Sequence, residues 1–179
     1  MSLIIVQCLY LMLPAYFANM APVIIKDSFK RLAIPLDMNK KLNNNPIFGK
    51  NKTVRGFLSG IIFALVVAYI QHFLYNYELF RGWSLINYHD WFRLGFLMGM
   101  GAMLGDLGES FIKRRLNLKP GERFIPWDQI DFVIGAILLI YPIVKLTWPK
   151  ILIIIIGSFI LHIIVNHLAF YLKIRDEKW

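Results

Sequence analysis

The sequence predicts an all-α integral membrane protein of about five transmembrane helices, with a polar cavity open at its cytoplasmic face. Three observations predict it. Of 179 residues, 58% are hydrophobic and 17% charged, where soluble domains carry about 25% charged residues. Three uncharged runs, Ser2–Ile25, Gly56–Tyr77 and Ile151–Leu172, hold 24, 22 and 22 residues, and about 20 are enough to cross a bilayer as a helix. The Lys and Arg residues, 20 in all against 11 Asp and Glu, gather in segments that alternate along the chain, which sets an orientation.

The first helix, about 2–25, is expected to be retained. A signal peptide carries positive charge ahead of its apolar region, and here no charge precedes Lys26. Pro14 is expected to kink it, which membrane helices tolerate. The single cysteine, Cys8, is read as a small apolar residue of this helix. Residues 26–55 form a loop with a turn signal at Asn43-Asn44-Asn45-Pro46. The second helix covers about 56–77, and Trp83 and Trp91 beyond it are interfacial belt residues. The third, fourth and fifth helices cover about 92–114, 130–146 and 150–172, with a loop over 115–129. Together they make one transmembrane domain, 1–179.

The segment Lys26–Arg55 holds eight Lys and Arg against two Asp, and Lys113–Arg123 holds five against one Glu. The tail after Leu172 adds three, while the loops Glu78–Arg93 and Lys145–Lys150 together hold four. The excess places residues 26–55, 115–129 and the tail in the cytoplasm and the N-terminus outside. Lys173 and Arg175 read as topology anchors.

The third and fourth helices are short of apolar residues. The uncharged runs Leu94–Gly105 and Phe132–Val144 hold 12 and 13 residues, and 12 helical residues rise only about 18 Å against a hydrocarbon core of about 30 Å. These helices must therefore carry Asp106, Glu109 and Asp131 toward membrane depth. Such groups persist there only against protein or a wet cavity, which marks them as functional candidates. Asp106, Glu109 or Ser110, and Lys113 share one helical face, as do Asp128 and Asp131. Four carboxylates are hard oxygen donors of the kind Mg²⁺ takes while it bridges phosphates. No Cys/His pattern of zinc spacing is present. Gly95/Gly99 and Gly101/Gly105 are small-xxx-small pairs suited to close helix packing. Gly105 and Gly108 flank Asp106 and could instead leave room for a metal or nucleotide.

Lys50, Asn51, Lys52, Thr53 and Arg55 cluster at the start of the second helix, where backbone N–H groups favour anions. The stretch is not a Walker A loop, because Gly49-Lys50 is followed by Asn and the Gly-rich part is missing. Lys113-Arg114-Arg115 repeats the cationic theme at the end of the third helix. Either cluster, taken alone, is also what an ordinary cytoplasmic loop looks like. His162 and Asn166 stand four apart and are expected to pair between helices. His72, His89 and His167 read as interfacial.

Gly105-Asp106-Leu107-Gly108-Glu109-Ser110 running to Lys113-Arg114-Arg115, then Pro120-Gly121, then Asp128-Gln129-Ile130-Asp131-Phe132, resembles the signature of the CDP-diacylglycerol synthase family. Lys50-Asn51-Lys52-Thr53-Val54-Arg55-Gly56 is similar to that family's Lys-Lys-Thr-x-x-Gly stretch. The bacterial Lys-Asp and His-Gly-Gly elements are absent, and Gln129 replaces Arg. The short archaeal branch, CDP-archaeol synthase, is the nearer likeness, from about Asn45 to Ala136 with an echo at 166–179. The resemblance implies a Mg²⁺-dependent nucleotidyltransferase of the cell membrane. It would move CMP from CTP onto 2,3-bis-(O-geranylgeranyl)-sn-glycerol 1-phosphate, giving CDP-archaeol and pyrophosphate. The expected partners are CTP, the lipid phosphate and the bilayer, with no nucleic acid.

In that scheme Asp106, Asp128 and Asp131 hold Mg²⁺, and Glu109 is a further ligand or orients one. Lys113 assists catalysis. Lys50, Asn51, Lys52, Thr53, Arg55, Ser110, Arg114 and Arg115 hold phosphates of CTP or lipid. No strong base is needed, since a phosphate monoester with a second pKa near ~6 is already anionic at neutral pH. Two alternatives fit the residues less well. A small cation-coupled transporter would explain intramembrane carboxylates, but not two acidic pairs and two basic loops at one face. A CDP-alcohol phosphotransferase would need an Asp-x-x-Asp-Gly-x-x-Ala-Arg pattern that the chain lacks.

Overall fold

The computed structural model describes residues 2–119 and 121–171. Among them are seven α-helices in order, with one 3₁₀ turn at Lys30–Leu32: α1 (Ser2–Leu11), α2 (Leu13–Ile24), α3 (Val54–Leu74), α4 (Glu78–Gly82), α5 (Trp91–Arg115), α6 (Trp127–Val144) and α7 (Trp148–Tyr171). A two-stranded hairpin, β1 (Lys41–Leu42) with β2 (Asn45–Pro46), interrupts the α2–α3 connection. The fold is all-α in its apolar part. α3, α6 and α7 are each long and apolar enough to cross a membrane, and α1 with α2 makes a fourth span if the bent pair is counted as one. Lys173, Arg175 and the end of the fifth predicted helix lie outside the described residues, as does Pro120.

The first predicted helix is two helices at 48° to each other. The break has a local cause. Pro14 lacks the N–H that would bond the Tyr10 carbonyl four residues back. Gln71, buried on α3, donates its Nε2 to that carbonyl at 2.6 Å. A buried carbonyl left open by proline is thereby satisfied from a neighbouring helix. A second buried bond, between the Tyr16 and Ser158 hydroxyls at 2.7 Å, joins α2 to α7.

α3 begins where its sequence says it should. Thr53 is extended at the N-cap and its hydroxyl accepts from Gly56 N at 3.2 Å, satisfying one of the unpaired donors of the first turn. The hairpin turns on Asn43 and Asn44, both left-handed (φ 50° and 66°), a conformation that asparagine tolerates. The helix α4 lies in a segment expected to be loop. At five residues it is too short to leave a periodicity in the sequence.

α5 is the centre of the bundle, packed on α2, α3 and α6. Its glycines set how closely it is approached. A methyl on Gly95 would lie 2.8 Å from the Ala68 Cβ, and one on Gly99 2.8 Å from the Ala64 Cβ, both on α3. On the opposite face a methyl on Gly101 would lie 2.5 Å from the Gly135 carbonyl of α6, and one on Gly105 would overlap the Asp131 carbonyl. With hydrocarbon on the outside, helix association depends on such contact rather than on water exclusion. The α5–α6 crossing thus sets the turn holding Asp106 directly against the turn holding Asp131.

Candidate active site

Three carboxylates converge at that crossing. Asp106 and Glu109 of α5 and Asp131 of α6 each offer an oxygen within 4.8 Å of the others. Close helix approach at Gly105 is the reason, since a side chain there would push α6 outward. One Asp131 oxygen accepts from Phe132 N at 2.6 Å. The donor set is all oxygen and all carboxylate, which fits a hard divalent cation such as Mg²⁺.

Two lysines border the cluster. Lys52, from the residue just before the α3 N-cap, places its Nζ 2.6 and 2.7 Å from the two Asp106 oxygens. Lys113, one turn beyond Glu109, lies 2.9 Å from Glu109 Oε1 and 2.5 Å from Asp128 Oδ1. Asp128, expected beside Asp106 and Asp131 as a metal ligand, stands outside the three-carboxylate set. It sits a turn earlier on α6, its other oxygen accepting from Phe124 N at 2.6 Å. Its side chain meets both Lys113 and Glu109, at the edge of the set. Glu109, whose role the sequence left open, lies inside the set, and Ser110 Oγ approaches its Oε2 at 3.5 Å.

The remaining expected site residues divide by location. Lys50 and Asn51 are exposed on the turn before α3. Thr53 serves as helix cap, and Arg55 Nη1 donates to the Ser28 carbonyl at 2.7 Å. Arg115 points back to the hairpin, donating to the carbonyls of Leu42 (3.1 Å), Asn45 (3.4 Å) and Pro46 (2.5 Å) and lying over the Phe111 ring. It fastens the α2–α3 loop to the end of α5. Arg114 is buried beside the Gly49 turn, and its Nε has no hydrogen-bond partner among the described residues. His162 pairs with Asn166 at 3.1 Å.

Two cavities border the carboxylates. A groove of about 580 Å³ between α5 and α6 has Glu109 and Asp131 among walls of Leu104, Ile112, Phe124, Trp127, Ile134 and Leu138. Leu104, Ile112, Trp127 and Leu138 are exposed, so it opens sideways from the bundle. A smaller cavity of about 50 Å³ is bordered by Asn51, Lys52, Thr53, Gly56 and Asp106.

Sequence reasoning missed Asp37. This buried carboxylate accepts from three backbone N–H groups, Asn39 (2.9 Å), Phe48 (3.0 Å) and Gly49 (2.8 Å). Burial alone would raise its pKa, but those donors outweigh it and hold the group below the usual carboxylate range. The one available signal was that Asp37 is an acid in a loop crowded with cations.

A bundle of membrane-spanning helices thus holds an oxygen-donor cluster between a lysine-bearing cavity and an apolar groove. The family model described as CarS-like: CDP-archaeol synthase matches residues 1–179, and the chain belongs to that family. A CDP-archaeol synthase of Pyrococcus furiosus is 36% identical over 176 residues, covering 98% of each chain. One of Methanocaldococcus jannaschii is 34% identical over 175 residues, covering 96% of this chain and 95% of its own. A solved structure of an intramembrane enzyme for archaeal membrane lipids biosynthesis aligns with a TM-score of 0.73 at 26% identity, covering 88% of this chain and 90% of that one. The chain is therefore a multi-pass membrane nucleotidyltransferase.

Proposed function

We propose that the three-carboxylate cluster is where CTP and a lipid phosphate are brought together for cytidylyl transfer. The reaction is the family's: CMP passes from CTP to a geranylgeranyl ether lipid phosphate, giving CDP-archaeol and pyrophosphate in archaeal phospholipid synthesis. The observation that carries the site assignment is the junction itself. Glu109 and Asp131 face an apolar groove, while Asp106 faces the cavity of Lys52 and Thr53. A substrate with an isoprenoid body and an anionic head fits the groove, its chains continuing into the bilayer. The family assignment leaves the cation-coupled transporter without support.

Asp106, Glu109 and Asp131 would hold Mg²⁺, which supplies charge neutralisation for two polyanions and for the departing pyrophosphate. The protein's own groups do the rest. Lys52 and Lys113 stand on either side of the carboxylates, placed to receive phosphate oxygens. Asp128 orients Lys113. Buried Arg114, with an unfilled donor, and exposed Lys50 and Asn51 are placed to meet the triphosphate. Thr53, Arg55 and Arg115 shape this surface through the helix cap and the two loop contacts. The lipid phosphate is the nucleophile and needs no proton removed, so positioning rather than base strength limits the rate.

The domain reading is a single catalytic unit, 1–179, with five spans. α5 would be the fifth, its 25 residues rising about 37 Å, long enough to cross with its charged end in the cavity. The positive-inside pattern then puts the N-terminus outside and the cavity toward the cytoplasm, where CTP is available.

The test is purified protein in detergent with CTP, Mg²⁺ and a panel of lipid phosphates. Pyrophosphate release is expected with the geranylgeranyl diether phosphate, and at least about tenfold less with diacyl phosphatidate, as a mismatched apolar pocket discriminates. Folded protein that releases no pyrophosphate with any member would overturn the reading.

A further inference from the structure

Asp37 lies on the α2–α3 loop, away from the carboxylate cluster, yet its bonds organise the segment that delivers Lys52. Residues 35–53 close on themselves. Leu36 N donates to the Lys52 carbonyl at 2.8 Å, Val54 N to the Ile34 carbonyl at 2.9 Å, and Pro35 bridges Thr53. Inside this ring Oδ2 of Asp37 takes the N–H groups of Phe48 and Gly49, and Oδ1 takes that of Asn39. Gly49 is left-handed (φ 100°), and its carbonyl accepts from Lys52 N at 3.1 Å. The turn from Gly49 to Lys52 is thus fixed at one end by the Asp37 carboxylate and at the other by the α3 cap.

Two features make the carboxylate more than filler. It is almost fully buried, at 5% exposure, and an ionised group so placed persists only when its oxygens are satisfied. Each of its bonds goes to a backbone donor of the loop, so its charge acts on loop shape. An asparagine there would turn an N–H₂ group or a weaker acceptor toward the Phe48 and Gly49 donors.

We propose that Asp37 is a positioning residue for the reaction: it holds the Gly49–Lys52 turn so that Lys52 reaches Asp106. The proposal rests on the site reading above and adds to it a residue that touches neither substrate nor metal.

The experiment compares Asp37→Asn, Asp37→Glu, Lys52→Ala and the double variant Asp37→Asn/Lys52→Ala in the CTP assay, with wild-type turnover as the control for the reaction. Asp37→Asn and Asp37→Glu are each expected to lower kcat/KM by about 10- to 100-fold, as loss of an outer orienting partner does. The double variant is expected to stay within about threefold of Lys52→Ala alone, because residues acting as a unit are not additive. Amide hydrogen exchange is the readout independent of activity. In Asp37→Asn the Phe48 and Gly49 amides should exchange at least about tenfold faster while α5 amides keep their wild-type protection. An active wild type with unimpaired Asp37 variants overturns the proposal, as do losses that multiply in the double variant. If Asp37→Asn does not fold, the result for Asp37→Glu decides: wild-type kcat/KM overturns the proposal. A wild type without turnover would instead count against the proposed reaction, leaving the exchange measurement to judge the loop.

Discussion

Asp106→Asn should lower kcat/KM by more than about 100-fold, the upper end of what is lost with outer partners of a metal site. Asp106 is the carboxylate that joins both halves of the site. It stands with Glu109 and Asp131 and also receives Lys52 from the cytoplasmic loop. The amide keeps the shape and removes the charge that attracts both a cation and a lysine. Asp131→Asn should behave alike, since it contributes the only α6 oxygen to the three-carboxylate set. Asp128→Asn should cost less, about 10- to 100-fold, because its ion pair orients Lys113 rather than completing that set. Steady-state kinetics on detergent-purified variants, with circular dichroism to verify helix content, checks the ranking. Equal losses at Asp128 and Asp131 would place Asp128 among the ligands after all.

Gly105→Ala should abolish activity through packing, with no change in any charged group. Helix propensity alone favours alanine over glycine by about 1 kcal/mol. Here the added methyl would overlap the Asp131 carbonyl backbone, which cannot rotate away. Overpacking of this kind costs about 1–3 kcal/mol. In a two-helix crossing it is relieved by moving α6 away from α5, which takes Asp131 out of reach of Asp106. Gly108→Ala is the control. It lies a turn further along α5 with nothing within 4 Å of its would-be methyl, so its thermal stability should equal or exceed wild type. Thermal unfolding of both variants, with turnover of Gly105→Ala, checks the pair, since Gly108 also lines the apolar groove. Matching behaviour would remove close approach as the cause.

The contrast between these glycines shows what was readable from the chain. The small-xxx-small spacing pointed to close packing along α5, and the structure shows partners at Gly95, Gly99, Gly101 and Gly105. It could not say that Gly105 meets the turn of Asp131, because the register of one helix on another depends on side chains from both. The broken first helix was half legible: Pro14 announced a kink, while Gln71, which answers the orphaned Tyr10 carbonyl, comes from 61 residues away. Asn43-Asn44 marked a turn, and the structure makes it the tip of a hairpin.

The site was legible by composition and less so by partnership. Acids at the ends of short apolar runs had to face something polar, and they face one another. Which acids meet was a matter of helix rotation. Asp128 and Asp131 are three apart on one face, yet Asp128 meets Lys113 and Glu109 while Asp131 joins Asp106 and Glu109. The basic clusters also looked uniform in sequence. In the structure Lys52 reaches a carboxylate while Arg55 and Arg115 bind backbone carbonyls. Long-range contacts decide between those roles, and no local spacing encodes them. Asp37 is illegible for the same reason, since its three donors come from a loop that closes only on folding.

In the proposed reaction the lipid phosphate attacks the α-phosphate of CTP at the Asp106–Glu109–Asp131 cluster. CTP labelled separately at the α- and γ-phosphates, incubated with the diether lipid phosphate and Mg²⁺, tests it directly. The α-label should pass to the organic phase with the lipid, and the γ-label should stay in water as pyrophosphate. α-Label transfer and pyrophosphate formation should both cease when Mg²⁺ is chelated and fall more than about 100-fold when Asp131 is Asn. γ-label recovered in the lipid, or α-label transfer undiminished by Asp131→Asn, would contradict the account.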